Sequence, residues 1–441
     1  MTNTVPGPTY QEMLHPKLVP EAVRKQALFN ITWRGFDHRI RHIVLPRELT
    51  GVEANIVVLI GREFPSGSHK VGPAYATLME GELAGEIQPG ESTMIGPSTG
   101  NFGIGVAYIA HLKGYPAIVI MPEQMSEERY QRIRQYGAQL DLTPGSESDV
   151  ILVLERTESY KRNPRNKILA QFELLPNYRF HRYVTGRSAL EAAAAYGNGK
   201  VAAFVSAPGS AGTLAAGDEI KARFPECVIC ALEPKECSTL FNNGRGTHRI
   251  EGIGDKMVTL IHNVLTTDYV ALIHDDDCVM GLELLERRHS LVERLLGRPR
   301  GYLDALEGVF GISGICNILG AIRMARHLQL GPEDNVVTIA TDGMDRYPSV
   351  LANLEKRRGP LNNASLTASF EEIFRGGGPR EILDVRPAEQ KQRLFGYKEQ
   401  VWTAFGYTHS YLERMKSQSF WDGEYDKVPA IDQGLLEARR V

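Results

Sequence analysis

The sequence predicts an α/β protein whose parallel sheets are covered by helices. Three observations predict it. Apolar runs of strand length, among them "ANIVVLI", "PAIVIMPE", "VAAFVSAPG", "CVICALEP" and "NVVTIATDG", alternate with helix-like segments. Turns of small residues follow several of these runs and open the next helix, as strand–turn–helix units require. The 441 residues, 42% hydrophobic and 23% charged, suffice for two or three compact lobes with substantial cores.

Taken in order, "ANIVVLI" is a strand that leads into the turn "PSGSHKVGPA". "GPAYATLMEGELAGEI" then reads as a helix. "STMIGPSTGN" is a short strand ending in a polar turn, and "FGIGVAYIAHLKG" a helix whose small residues permit close packing. "PAIVIMPE" is a strand, and "SEERYQRIRQYGA" a helix with Ser126 as its expected N-cap. "VAAFVSAPG", "AGTLAAGDEIKARFP", "CVICALEP" and "NVVTIATDG" continue the alternation. From about Asn363 it fades into a helical, polar segment, read as an appended lid or oligomer contact. "FRGGGPRE", Phe374 to Glu381, is a flexible loop by composition.

Composition excludes several roles. A net charge of −3 gives no broad reason to expect nucleic acid or an anionic membrane as partner. No apolar run approaches the roughly 20 residues of a membrane span, and the first residues lack a signal-peptide pattern. Five cysteines, sparse and odd in number, read as reduced thiols of a cytoplasmic protein. Cys227 and Cys230 form a C-x-x-C inside a strand-like run with no second pair or nearby histidine. "HDDD", His274 to Asp277, reads as an acidic helix start. No metal site is expected. "ERRHSLVERLLGRPR" reads as a solvated helix face.

In parallel α/β folds ligands gather at the carboxyl ends of strands, so the turns there carry the chemistry. Lys70 stands among small residues that would let a bulky aldehyde approach its amine, and the Walker spacing is absent. "GPSTGNFGIG" places Ser98, Thr99 and Asn101 before a helix, where amides and the helix dipole favour an anion such as a carboxylate. "SAPGSAGTLAAG" sets Gly209, Ser210, Ala211, Gly212 and Thr213 between strand and helix, a cradle suited to a lone phosphate monoester. Ser313, in "GVFGISGICNILGA", alone would be no more than an N-cap.

Together these blocks carry a resemblance that runs in order from about Arg41 to Val350. "FPSGSHK", the stretch from "GELAGEIQ" to "RQYGAQL", "ILAQFELLPNYRFH", "GSAGT", "EPKECSTLF", "THRIEGIGDK", "GVFGISG" and "TDGMDRYPSV" are its parts. The chain resembles fold-type II pyridoxal-phosphate (PLP) enzymes of the cysteine synthase and cystathionine β-synthase group. The resemblance implies a tryptophan synthase β-like architecture of two lobes of parallel or mixed sheet. It implies an extension over residues 1–40, an amino-terminal lobe over 41–190, a carboxy-terminal lobe over 191–360 and a helical extension over 361–441.

The same resemblance implies that Lys70 carries PLP as an imine and then takes the Cα proton of an amino-acid substrate. Asn101 would meet the ring's 3′ oxygen, Gly209 to Thr213 the phosphate, and Ser313 the pyridine nitrogen. Ser98, Thr99 and Gln171 would bind the substrate carboxylate. The implied reaction is β-replacement on a serine- or cysteine-derived amino acid through an aminoacrylate. The alternative is β-elimination, as in a cysteine desulfhydrase or a serine or threonine dehydratase, releasing pyruvate and ammonia. A homodimer is implied as well. The chain departs from the pattern at Phe102, where threonine is usual, at His69 before the lysine, and at Val71 and Gly72.

Overall fold

The computed structural model describes residues 6–376 and 381–440. Among the described residues, eleven strands form two sheets. The larger has the order β1–β2–β10–β7–β8–β9–β11, the smaller β5–β4–β3–β6. In the larger sheet β2 (Asn55–Ile60), β10 (Asn335–Ala340), β7 (Val201–Ser206), β8 (Val228–Pro234) and β9 (Tyr269–Ile273) run parallel. The antiparallel edges β1 (His42–Val44) and β11 (Ile382–Asp384) close it. The smaller sheet is parallel throughout: β3 (Thr93–Pro97), β4 (Ala117–Pro122), β5 (Gln139–Thr143) and β6 (Asn166–Ile168). The expected α/β architecture of parallel and mixed sheets is the one observed.

Strands covered on both faces need apolar residues at successive positions rather than alternation. That is why "IVVLI" in β2 and "VVTIA" in β10 are buried throughout. The two strands pair in parallel from Asn55 opposite Asn335 to Ile60 opposite Ala340. This register places β1 and β2 in the large sheet. It also brings the turn after β2 alongside the end of β10. The turns after β2, β3, β7 and β10 thereby converge at the carboxyl ends of both sheets.

Ser126 differs from expectation. It occupies the N-cap position of the Glu127–Gln135 helix, yet its hydroxyl makes no capping bond. It donates instead to Glu251 Oε2 at 2.9 Å, across the cleft between the sheets. The terminal regions are built into the fold. The Tyr10 and Gln11 amides each donate to the Asp432 carboxylate at 2.8 Å. The helix Ala388–Ala404 lies over residues 258–262, with Lys398 Nζ donating to the Leu260 and His262 carbonyls and Trp402 Nε1 to Val258 O at 2.8 Å. The carboxy-terminal region is not purely helical, since it supplies β11. Residues 377–380, the centre of the glycine-rich loop, lie outside the described residues.

Trp402 is fully buried and hydrogen-bonded. Trp402→Ala is expected to lower stability to urea by about 3–5 kcal/mol. A loss below about 1 kcal/mol would show that the tail does not hold residues 258–262 in place.

Candidate active site

Lys70 ends the turn after β2 and sits at the N-cap of the Val71–Leu83 helix. Its side chain reaches the loop after β7. A Cβ placed on Gly209 would lie 3.6 Å from Lys70 Nζ and 2.5 Å from the Gly252 carbonyl oxygen, so only glycine fits there. Burial pushes the Lys70 ammonium below its usual pKa, against the pull of Asp255, Glu147 and Asp342. A lysine so placed yields its proton more readily than a surface lysine. Under it His69 is fully buried, stacked on Trp33 at 5.4 Å and edge-on to His181 at 5.2 Å. Burial and the neighbouring Lys70 hold the His69 imidazole down to about 3, which keeps it neutral.

The loop after β7 is a bare cradle. Among the described residues, the backbone N–H groups of Gly209, Ser210, Ala211 and Thr213 donate to no protein acceptor. Ala211 adopts a left-handed φ of 65°, a strained conformation for a residue with a Cβ. Asn177 supports the loop, its Nδ2 donating to Ser210 Oγ at 3.0 Å, while Thr259 donates to Ser210 O at 2.8 Å. Ser313 lies in the first turn of the Ile312–His327 helix, buried, its hydroxyl without a partner among the described residues.

The loop after β3 carries Ser98, Thr99 and Asn101, all buried. Ser98 Oγ accepts from the Gly100 and Gly103 amides at 2.9 and 2.8 Å, which shapes the start of the Asn101–Lys113 helix and leaves its own proton to donate. Asn101 Nδ2 donates to Asp342 Oδ2 at 2.6 Å, and its Oδ1 accepts from Arg346 Nε at 2.7 Å. Its second amide N–H remains for a ligand. Gln171 Nε2 reaches Pro97 O at 3.4 Å, beside the same loop. Phe102 is buried in the main core.

Residues 50–295 match the family described as pyridoxal-phosphate dependent enzyme. The chain belongs to that family. A cysteine synthase of Staphylococcus aureus is 31% identical over 297 residues, covering 67% of this chain and 88% of the relative. A hydrogen sulfide-producing enzyme from Fusobacterium nucleatum superimposes with a TM-score of 0.61 at 26% identity, over 78% of this chain and 95% of that one. An O-acetylserine dependent cystathionine β-synthase from Helicobacter pylori gives 0.59 at 25% identity, over 70% and 94%.

The residues present fit this enzyme's cofactor. A phosphate monoester needs convergent N–H donors, and the cradle offers unpaired ones. A pyridine nitrogen needs a polar neighbour, and the Ser313 hydroxyl is buried without one. The structure therefore brings Lys70, Asn101, Ser98, Thr99, Gln171, Gly209 to Thr213 and Ser313 to the converging strand ends. It adds groups that the sequence did not single out. Asp342 follows β10 and is fully buried. It accepts from Asn101 and from the Tyr347 hydroxyl at 2.9 Å and faces Arg129 and Arg346 at 3.7 and 3.8 Å. Arg129, fully buried, also pairs with Glu251. Glu147, Asp255, Asn177 and His181 complete the surroundings. Arg129 and Asp342 lie within the blocks "SEERYQRIRQYGA" and "TDGMDRYPSV", but nothing local marks either as buried.

Asp342→Ala would leave two buried guanidinium groups short of a counter-charge. It is expected to cost about 3–5 kcal/mol in denaturant unfolding. A change within about 0.5 kcal/mol would mean that Arg129 and Arg346 find other partners.

Proposed function

We propose that this enzyme catalyses β-replacement on a serine- or cysteine-derived amino acid, and that it does so as a cytoplasmic homodimer. One observation carries the reading. The Lys70 amine lies beside Gly209, in a cradle of unpaired amides, and the Asp342 carboxylate that acts on it also holds Asn101. The identity with cysteine synthases over most of their length supports the same reaction class.

Lys70 Nζ would carry the cofactor, the amides of Gly209 to Thr213 would hold its phosphate, and Asn101 and Ser313 would flank its ring. Bound pyridoxal phosphate supplies an electron sink for the electron pair left when Cα loses its proton. The depressed basicity of Lys70 suits it to take that proton from Cα and to release it again. The Ser98 and Thr99 hydroxyls, with Gln171, would orient the substrate carboxylate. Ser313 is a neutral partner, so it withholds the proton that a carboxylate would keep on the ring nitrogen. That restrains the sink and favours prompt departure of the β-group over side reactions.

Elimination with release of pyruvate is the second reading, and the similarity to a hydrogen sulfide-producing enzyme favours it. The two differ in what the site does after the β-group leaves. A site that excludes water and waits for a nucleophile transfers, and one that admits water eliminates.

Borohydride reduction followed by peptide mapping is expected to place the pyridoxyl group on Lys70, and a label on another lysine would refute the assignment. Single-turnover mixing with O-acetylserine, with and without sulfide, separates the two readings. A species that decays only when sulfide arrives supports transfer, whereas pyruvate release indifferent to any nucleophile marks a lyase. Ser313→Asp is expected to keep the cofactor bound while slowing β-elimination and raising transamination products. Unchanged turnover and spectra would remove Ser313 from the ring.

A further inference from the structure

Two turns are fastened together beside Lys70. The Lys256 amide donates to Ser148 O at 3.3 Å, and Lys256 Nζ to Asp149 Oδ1 at 2.6 Å. This clasp sets Glu147, just before Ser148, and Asp255, just before Lys256, on adjoining turns. Both are buried, at 2% and 5% exposure, and among the described residues none of their carboxylate oxygens makes a well-formed hydrogen bond. The Thr99 hydroxyl and the Gly252 amide approach Glu147 without full hydrogen-bond geometry. Both carboxylates act on Lys70, ahead of Asp342.

The pair spans the site. Glu147 lines an open groove of about 670 Å³ together with Ser126, Arg249 and Glu251. Asp255 lines a water-sized cavity of about 10 Å³ that also touches Gly209. Glu147 thus borders the groove beside Thr99, and Asp255 borders the cradle beside Gly209. Two buried, poorly partnered carboxylates cannot both stay ionised at low cost. Burial, with Glu147 beside it, raises Asp255 well above its ordinary value against the pull of Lys70. Burial lifts Glu147 to about 7 against Arg129, Thr99, Gly252 and Lys70. The pair thus retains a proton near neutrality.

We propose that Glu147 and Asp255 share this proton and give it to the departing β-substituent, so that amino acids with a free β-hydroxyl or β-thiol are substrates of the enzyme. The inference rests on the β-chemistry proposed above and names its substrate class. The Cα proton passes to Lys70 Nζ, and its electron pair forms the second Cα–Cβ bond. The Cβ–O or Cβ–S bond breaks, and its electrons leave with oxygen or sulfur. That atom takes the carboxyl proton and departs as water or hydrogen sulfide. The carboxylate regains a proton from the Lys70 ammonium or from solvent, so no redox partner is needed. Acetate leaves unaided as a stable anion, whereas hydroxide, and to a smaller degree hydrosulfide, leaves poorly without protonation.

The test compares serine, cysteine and O-acetylserine as substrates of the holoenzyme, Glu147→Gln and Asp255→Asn, each checked for cofactor by borohydride labelling. The ratio of kcat/KM on serine or cysteine to kcat/KM on O-acetylserine is expected to fall about 100-fold in each variant. Infrared difference spectra of the cofactor-free protein at neutral pH are expected to show a protonated carboxyl that Asp255→Asn lacks. An equal loss on all three substrates would reduce the pair to a counter-charge for Lys70 and overturn the proposal. So would a wild-type enzyme that accepts O-acetylserine alone, or the absence of the carboxyl band should the variants fail to fold. Failure of the wild type on all three substrates, with cofactor bound, would instead refute the β-replacement reading beneath it.

Discussion

The buried carboxylate of Asp342 is the point on which the two sheets agree. It stands just beyond β10, in the large sheet, and accepts a hydrogen bond from Asn101, at the end of β3 in the small one. Arg129 and Arg346 balance its charge, and Tyr347 adds a hydroxyl. A buried carboxylate costs several kcal/mol unless it is paired and hydrogen-bonded, so these partners are obliged to meet there. Their meeting fixes the position of the Asn101 loop relative to the Lys70 turn, because Arg346 also donates to the Ser66 carbonyl at 2.7 Å. The relative placing of these two turns thus depends on one internal charge.

Arg129 extends this arrangement to the cleft. Its guanidinium faces Asp342 on one side and pairs with Glu251 on the other. A Cβ on Gly100 would come within 2.5 Å of Arg129 Nε, and the φ of 155° at that position already favours glycine. The glycine of the "STGN" turn therefore serves two ends. It lets the chain turn, and it leaves room for a buried arginine behind the loop. Ser126 and Arg129 both hold Glu251, so the Glu127–Gln135 helix of the small sheet grips the loop that carries Asp255.

The terminal regions act on the same loop from outside. The helix Ala388–Ala404 satisfies the carbonyls of Val258, Leu260 and His262 with side-chain donors. Thr259, within that stretch, donates to Ser210 in the cradle. A single path of hydrogen bonds therefore runs from the carboxy-terminal tail to the loop that faces Lys70. In the structure this tail packs as a support behind the site.

The sequence by itself determined the α/β class and most of the principal strands. Fully buried parallel strands write themselves as unbroken apolar runs, as in "NVVTIATDG" and "CVICALEP". It also singled out Lys70, the "STGN" turn and the "GSAGT" cradle, since each is a small-residue turn next to a strand or helix and its signal is local, whereas Ser313 stood out only through the family resemblance. Short or edge strands such as β1, β6 and β11 gave no such signal. Asp342, Arg129, Glu147 and Asp255 were decided only by the tertiary structure. An aspartate in "TDGMD" or a glutamate in "GSESD" looks solvated until distant chain covers it. Asn101 and Asp342 meet across 241 residues, and the clasp between Asp149 and Lys256 closes across 107. The burial of a charge is a property of its surroundings, and those surroundings exist only once both sheets have come together.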